Sequence, residues 1–453
     1  MIRTQFAMIA FLLGLAVAEP ASILAQTSLP LSEPSPGTTR TVTAADIATP
    51  AASDVAARDV TLKPASAYEP GEGITVSMLN GTSQLKLFGA LSAMTVLSTD
   101  RPYAPGLPLF LLPSSPFGLN TNTFDIHARQ SNLGASVSGP QAGEFTPSAT
   151  FLAFIANDTL TGDSYGFLPY NAFGELKSDQ WRFAAGLQND VFNPRKPTSV
   201  SLAAMFTSGN TGSFRSQARI ERYFGSATSS SLELQMAISD PIQSVFGSRD
   251  LRIQEDNGWP NVEGRINAGF GAMERLAGGR RVRPFEVGIS SFLGQLRTTR
   301  SILAPTDPQT PIRQIADCWG LGIDSAVNLT DSIGLQGEFF TGAGLGEYNG
   351  GIGQTYDTAA NRSIRSIGGW GEIFLYVTPT LHLHTGYGVD GPQERPGDTF
   401  LLTENQTLYT NLVWNWTKNI QISNQVDFRK TNYRDPLLDA EGVIFYSEFQ
   451  WRF

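Results

Sequence analysis

The sequence predicts an all-β protein, a transmembrane antiparallel β-barrel of about sixteen strands, and three observations carry that prediction. After residue 26 no window of about 18 apolar residues occurs, so ordinary spanning helices are excluded, yet stretches of about ten residues alternating apolar with polar or small recur from residue 83. The connections between these stretches are alternately short and long. The chain also closes on "GVIFYSEFQWRF", in which Phe445, Phe449, Trp451 and Phe453 share one face of an extended strand and Tyr446, Glu448, Gln450 and Arg452 share the other. Composition agrees: 45 Gly, 27 Pro, 16% charged residues, 10% aromatics and a mean hydropathy of -0.12 suit many short strands joined by turns.

In chain order, residues 1–25 read as a secretory signal peptide. Arg3 precedes an apolar stretch from Phe6 to Val17, and small residues follow at Ala16, Ala18 and Ala25. Cleavage is expected near Ala25, with Ala18 as the other candidate; a buried N-terminal helix is the alternative, but the polar tail that follows offers it nothing to pack against. Residues 26–82 are rich in Pro, Thr, Ser and Ala without heptads, which suits a flexible periplasmic arm. The barrel is expected over residues 83–453.

Within it the strands are expected at 84–97, 122–138, 146–157, 166–177, 180–189, 213–225, 229–239, 261–271, 281–292, 318–329, 333–341, 365–376, 381–389, 407–417, 420–430 and 443–453. Short turns follow every second strand, at "KSDQ", "LTDS", "VTPT" and "TKN", while 99–121, 240–260, 293–317 and 342–364 are long. Hairpins inserted through a membrane from one side give that alternation, and a soluble sandwich has no reason to keep it. An even strand number puts both barrel ends in the periplasm, so Trp414 and Trp416 should join Trp451 and Phe453 in one aromatic girdle facing lipid. Ser447 is the one polar interruption on the apolar face of the last strand.

Signals for chemistry are sparse. There is no H-E-x-x-H, G-x-S-x-G or P-loop pattern, and "GNTGS" at 209–213 lacks the phosphate-holding lysine. The glycine-crowded "TGAGLGEYNGG" at 341–351 has no strand-loop-helix context and reads as an outer loop. His382 and His384 alternate with Leu381 and Leu383, so both should line the lumen, and no local spacing supplies them with further ligands or a serine. The single cysteine, Cys318, excludes an internal disulfide. No cofactor, metal or catalytic residue is expected, and a net charge of -9 argues against nucleic acid as partner.

Charged residues on the polar faces are more informative. In "SFRSQARIERYF", Arg215, Arg219 and Glu221 alternate with Phe214, Ala218 and Ile220, and Arg129, Arg182 and Arg265 occupy the polar faces of their own strands. A charge on the lipid face costs about 2–4 kcal/mol at the midplane, so all six are expected to line the pore. Two outcomes stand: a basic wall favouring anions, or arginines paired with carboxylates such as Glu221 or Glu263 in a weakly selective pore. The third long loop, "NDVFNPRKPTSVSLAAMFTSGNTG", carries Val191, Phe192, Leu202, Met205 and Phe206, and that apolar content predicts inward folding, with an extracellular cap as the alternative.

The stretches "ARQSNLGASVSGP", "AFGELKSDQWRFAAGLQNDVF", "GSFRSQARIERYF", "GWPNVEGRINAGF" and "FFTGAGLGEYNGG" resemble, in this order, segments of the DcaP-like outer-membrane trimeric porins. The resemblance implies a sixteen-stranded barrel, a homotrimer in outer-membrane lipid, passage of small and often anionic solutes such as dicarboxylates, and a basic lumen wall at Arg215 and Arg219. Members of that group often carry an N-terminal helical region suited to coiled coils, and the Pro-rich 26–82 departs from it. The expected function is therefore an outer-membrane porin with modest anion preference and no enzymatic activity. A structural or surface-attachment barrel is the alternative, and an outer-membrane enzyme a weaker one.

Overall fold

The computed structural model describes residues 73–103, 106–113, 121–155, 166–241, 259–299, 313–357, 359–360 and 362–453. The expected signal peptide and residues 26–72 of the expected arm lie outside the described residues. The last part of that arm is ordered: Ile74–Met78 forms a short strand paired antiparallel with residues 83–87.

Sixteen strands make one antiparallel sheet. They are β1 (Ser83–Ser98), β2 (Thr123–His127 continued by Asn132–Ser138), β3 (Thr146–Phe154), β4 (Leu168–Lys177), β5 (Trp181–Asn189), β6 (Phe214–Gly225), β7 (Ser231–Ser239) and β8 (Asn261–Phe270). There follow β9 (Phe285–Thr299), β10 (Arg313–Asn328), β11 (Ile333–Ala343), β12 (Arg365–Tyr376), β13 (Leu381–Pro392), β14 (Leu402–Asn415), β15 (Ile420–Tyr433) and β16 (Ala440–Arg452). Each pairs with the next, and β16 returns to β1 with Trp451 opposite Leu91, so the barrel is closed and leaves no edge. Phe453 completes the seam: its N–H and C=O exchange bonds of 3.0 and 3.1 Å with Gly89, and a Cβ on Gly89 would stand 2.7 Å from the Phe453 ring.

Alternation does the sorting. Along the row Ile266, Ile289, Ile323 and Phe339, paired strand to strand, every side chain points out of the barrel. Ile266 is 57% exposed, whereas its neighbour Arg265 is 3% and Asp324 is 1%. The outer face is thus an apolar belt and the inner face a polar, densely packed wall. The girdle is formed as expected: Trp414 and Trp416 lie 6.1 Å apart, Trp451 and Phe453 5.4 Å apart, and Arg452 N–H reaches the carbonyl of Asn419 in the "TKN" turn at 2.7 Å.

Two departures from strict alternation matter. Strand β9 starts at Phe285 rather than 281, because Glu274–Arg275 and Arg281–Val282 pair as a small hairpin below the barrel and Leu276 packs on Phe374 and Tyr376 of the inner wall. Strand β2 breaks at 128–131, where the Ser131 hydroxyl replaces ladder bonds by accepting from Ser92 N–H at 2.9 Å and donating to its carbonyl at 3.2 Å.

Candidate functional site: a loop-narrowed lumen

Residues 190–213, loop 3, leave β5 and fold into the barrel, the outcome that their apolar content predicts. The neck is closed by Asp190, whose N–H bonds the Ser213 carbonyl at 3.0 Å while its carboxylate takes Ser213 N–H at 2.8 Å. The same carboxylate holds Arg215 in a two-pronged pair at 2.7 and 3.1 Å.

From the neck the loop runs across the strands, where it has no ladder partner, so its N–H groups need other acceptors. Side chains of successive strands supply them. Glu263 on β8 accepts from Val191 N–H at 2.8 Å, Ser290 on β9 from Asn193 at 3.1 Å, and Glu338 on β11 from Arg195 at 2.5 Å. Glu372 on β12 then accepts from Thr198 at 2.6 Å, and Gln425 on β15 from Val200 at 2.7 Å. Pro194 and Pro197 fall between these anchors and have no N–H to satisfy. The Val200 carbonyl accepts from Gln130 in the β2 break at 2.7 Å, so the loop reaches the far wall.

The returning limb lies against β12 to β14. Asn405 donates to the Thr207 carbonyl at 2.9 Å, and Gly209, at φ +111, sits where a Cβ would come within 2.3 Å of the Gly369 carbonyl. Loops 1 (99–122) and 6 (344–364) pack on it from the extracellular side. The Leu109 carbonyl of loop 1 accepts from Thr207 at 2.7 Å and Arg429 at 2.6 Å, and Asp390 accepts from Gly351 and Ile352 N–H at 3.0 Å each.

All six charged residues singled out from the sequence are largely buried inside the barrel, and each has a partner of opposite charge. Arg182 binds Glu175 at 2.5 Å and Glu221 at 2.9 Å, and Arg219 binds Glu221 at 3.2 Å. Arg265 binds Asp324 at 2.8 Å, which also holds Arg195 at 2.7 Å, and Arg195 reaches Glu286 at 3.0 Å. Arg129 binds Asp125 at 2.7 Å inside the β2 break. Arg215 is a special case: fully buried, it also donates to the carbonyls of Asp240, Pro241 and Glu347 at 3.0, 3.2 and 2.8 Å and lies 3.9 Å over the Tyr348 ring. It fastens loops 3 and 6 to Asp240 and Pro241, the two residues that follow β7. The side chains of Arg182 and Arg195 retain 12% exposure each and that of Glu175 16%.

Residues that sequence reasoning passed over are Arg195 and Lys196 in "NPRKP", and the inward acceptors Glu338, Glu372 and Gln425. The signal was present: two cations between prolines in a loop expected to fold inward, and a polar residue at every second position of the strands. His384 faces inward as expected and contacts Glu372 at 2.9 Å. Among the described residues no group of three or more His, Cys, Asp or Glu forms a metal-ligand set.

No family profile and no curated protein matches this chain. Solved structures do. The outer membrane channel DcaP of Acinetobacter baumannii superposes with a TM-score of 0.63 at 13% identity, covering 83% of this chain and 99% of that one. An anion-selective porin from Comamonas acidovorans gives 0.50 at 10% identity over 82% of this chain and all of that one, and the trimer form of OmpT, an outer membrane protein of Vibrio cholerae, gives 0.50 at 11% identity over the same shares. At these identities the likeness establishes the fold, and it agrees with the resemblance to DcaP-like porins drawn from the motifs. With its closed barrel, apolar belt and aromatic girdle, the chain is a bacterial outer-membrane protein of the porin architecture.

Proposed function

We propose that the protein is an outer-membrane porin that lets small hydrophilic solutes diffuse passively through a lumen narrowed by loop 3, with a modest preference for anions such as dicarboxylates. The observation that carries this reading is the pinning of loop 3 across the lumen by side chains from β8 to β15. A wall that only had to be filled could use apolar contacts; charged and amide groups holding a loop in a hydrated interior define a narrow polar passage. The preference is modest because the wall arginines are paired, which removes most of the field that unpaired guanidinium groups would project.

A homotrimer is part of the proposal. The outer faces of β1 to β6 present small residues, among them Ala93, Ala149, Gly174, Ala185 and Ala218, and on β15 and β16 the Asn424 amide meets the Ser447 hydroxyl at 3.0 Å on the outer face. Small residues allow close approach between membrane walls, and an amide is better placed against protein than against acyl chains.

Single-channel recording of the purified protein in a planar bilayer tests the channel: discrete conductance steps are expected. Their absence would instead favour a structural barrel, a reading supported by the mutual packing of loops 1, 3 and 6 inside the lumen.

A further inference from the structure

Lys196 differs from the arginines around it. Arg182, Arg195, Arg215, Arg219 and Arg265 each have a carboxylate within 3.2 Å. The Lys196 ammonium makes one hydrogen bond, to the Thr211 carbonyl at 2.9 Å, and lies 4.7 Å from the Phe206 ring centroid, with no carboxylate in salt-bridge range among the described residues. An ammonium has three donors, so two remain for another acceptor.

The two acids whose charge acts on it are already engaged by other donors. Glu338 takes Arg195 N–H on one oxygen at 2.5 Å and the Trp370 indole on the other at 3.4 Å, while both Asp190 oxygens hold Arg215. Burial pulls the Lys196 ammonium below the ordinary lysine value, and the Glu338 and Asp190 charges act against that pull.

The position is fixed as well as unpaired. Arg195 N–H and Thr198 N–H are anchored to Glu338 and Glu372 on either side, and Pro194 and Pro197 restrict the backbone between. The residue is partly exposed, on the same stretch as Pro194 and Arg195.

From this geometry we infer that Lys196 is the specificity-determining residue of the passage, the point at which the carboxylate of a passing solute is contacted. The inference rests on the channel reading above. A single cation held in a narrow, low-dielectric constriction focuses potential far more than the same charge on an open surface.

The test is the reversal potential of single channels in a potassium chloride gradient. Wild type is expected to prefer chloride. Lys196→Gln should lower the chloride-to-potassium permeability ratio about two- to fivefold, Lys196→Glu should invert the preference, and Lys196→Arg should keep it. If the Gln variant does not assemble, Lys196→Cys labelled in the open channel serves instead, because the only native cysteine, Cys318, is buried. A positively charged thiol reagent should then restore the anion preference and a negatively charged one reverse it. Channels of ordinary conductance whose ratio is unmoved by these changes, or a cation-preferring wild type, overturn the inference and leave the channel standing. A wild type without conductance overturns the channel reading itself.

Discussion

At Arg215 the period of two is right and the simplest role is not. Alternation in "SFRSQARIERYF" turns the side chain inward, as it is, but the guanidinium meets Asp190, three loop carbonyls and the Tyr348 ring rather than open lumen. Nothing local signals those partners, since the hydrogen-bonding ones stand 25 to 132 positions away and the Tyr348 ring one residue further. Removing one member of a buried pair strands the other, at a cost of about 3–5 kcal/mol. Arg215→Ala is therefore expected to lower the unfolding temperature in detergent and to raise open-channel noise as loop 3 loosens, whereas Arg215→Lys should show a smaller loss. Equal stability of the alanine variant and wild type would show that Arg215 is not the fastener described. At Arg219 and Arg182 both orientation and partner are legible in the sequence, because Glu221 lies on the same polar face as Arg219 and its carboxylate meets both guanidinium groups.

Among the elements, loop 3 was legible in direction and illegible in path. Its apolar residues forbid a free excursion into water, which is enough to predict folding inward. Its course depends on acceptors on five strands that the sequence scatters over more than 160 residues, from Glu263 to Gln425. Replacing residues 193–210 by a short glycine-serine linker should raise single-channel conductance several-fold, because ohmic conductance follows the narrowest cross-section; an unchanged conductance would place the constriction elsewhere. Loops 6 and 7 (393–401) are tied together by Asp357, which accepts from Ala359 and Ala360 N–H at 3.0 and 2.9 Å and from the Thr399 hydroxyl at 2.9 Å. Burial pushes that carboxyl up, but the N–H groups of Ala360 and Thr399 outweigh it and hold it below its ordinary range. A depressed carboxylate contributes stability above its unfolded value, near about 3.9, and loses it as pH falls through the folded value. Proteolytic nicking of loops 6 and 7 should thus stay constant from neutral pH to about pH 5 and rise only below about pH 4; a rise near neutrality would contradict the tie.

For the whole molecule, the aromatic girdle and the closed seam make the membrane placement testable. Trp414 and Trp451 are 43% and 44% exposed on the outer face, while Trp370 is 5% exposed on the inner one. In vesicles of lipids brominated near the headgroup, the fluorescence of variants retaining only Trp414 or Trp451 should be quenched strongly, and that of one retaining only Trp370 weakly. Comparable quenching of all three would invert the assignment of faces. The proposed trimer predicts a detergent-corrected mass of three chains by light scattering, and Ala149→Trp on the small-residue face should shift it toward one chain without loss of the barrel's sheet signal. A wild type that is already monomeric would remove that proposal.

The sequence by itself determined the closed sheet, its strand number, the face on which each side chain stands and the end at which the aromatics gather. These follow from a period of two and from the cost of polar groups in hydrocarbon, both of which act on neighbours in the chain. It left open the break of β2 at 128–131 and the hairpin beneath β9, where local bonds of Ser131 and the packing of Leu276 override alternation. Only the tertiary structure decided which charges of the inner wall meet a partner of opposite sign. That depends on where loop 3 crosses each strand, and its crossing points are fixed by acceptors that meet only when the barrel closes.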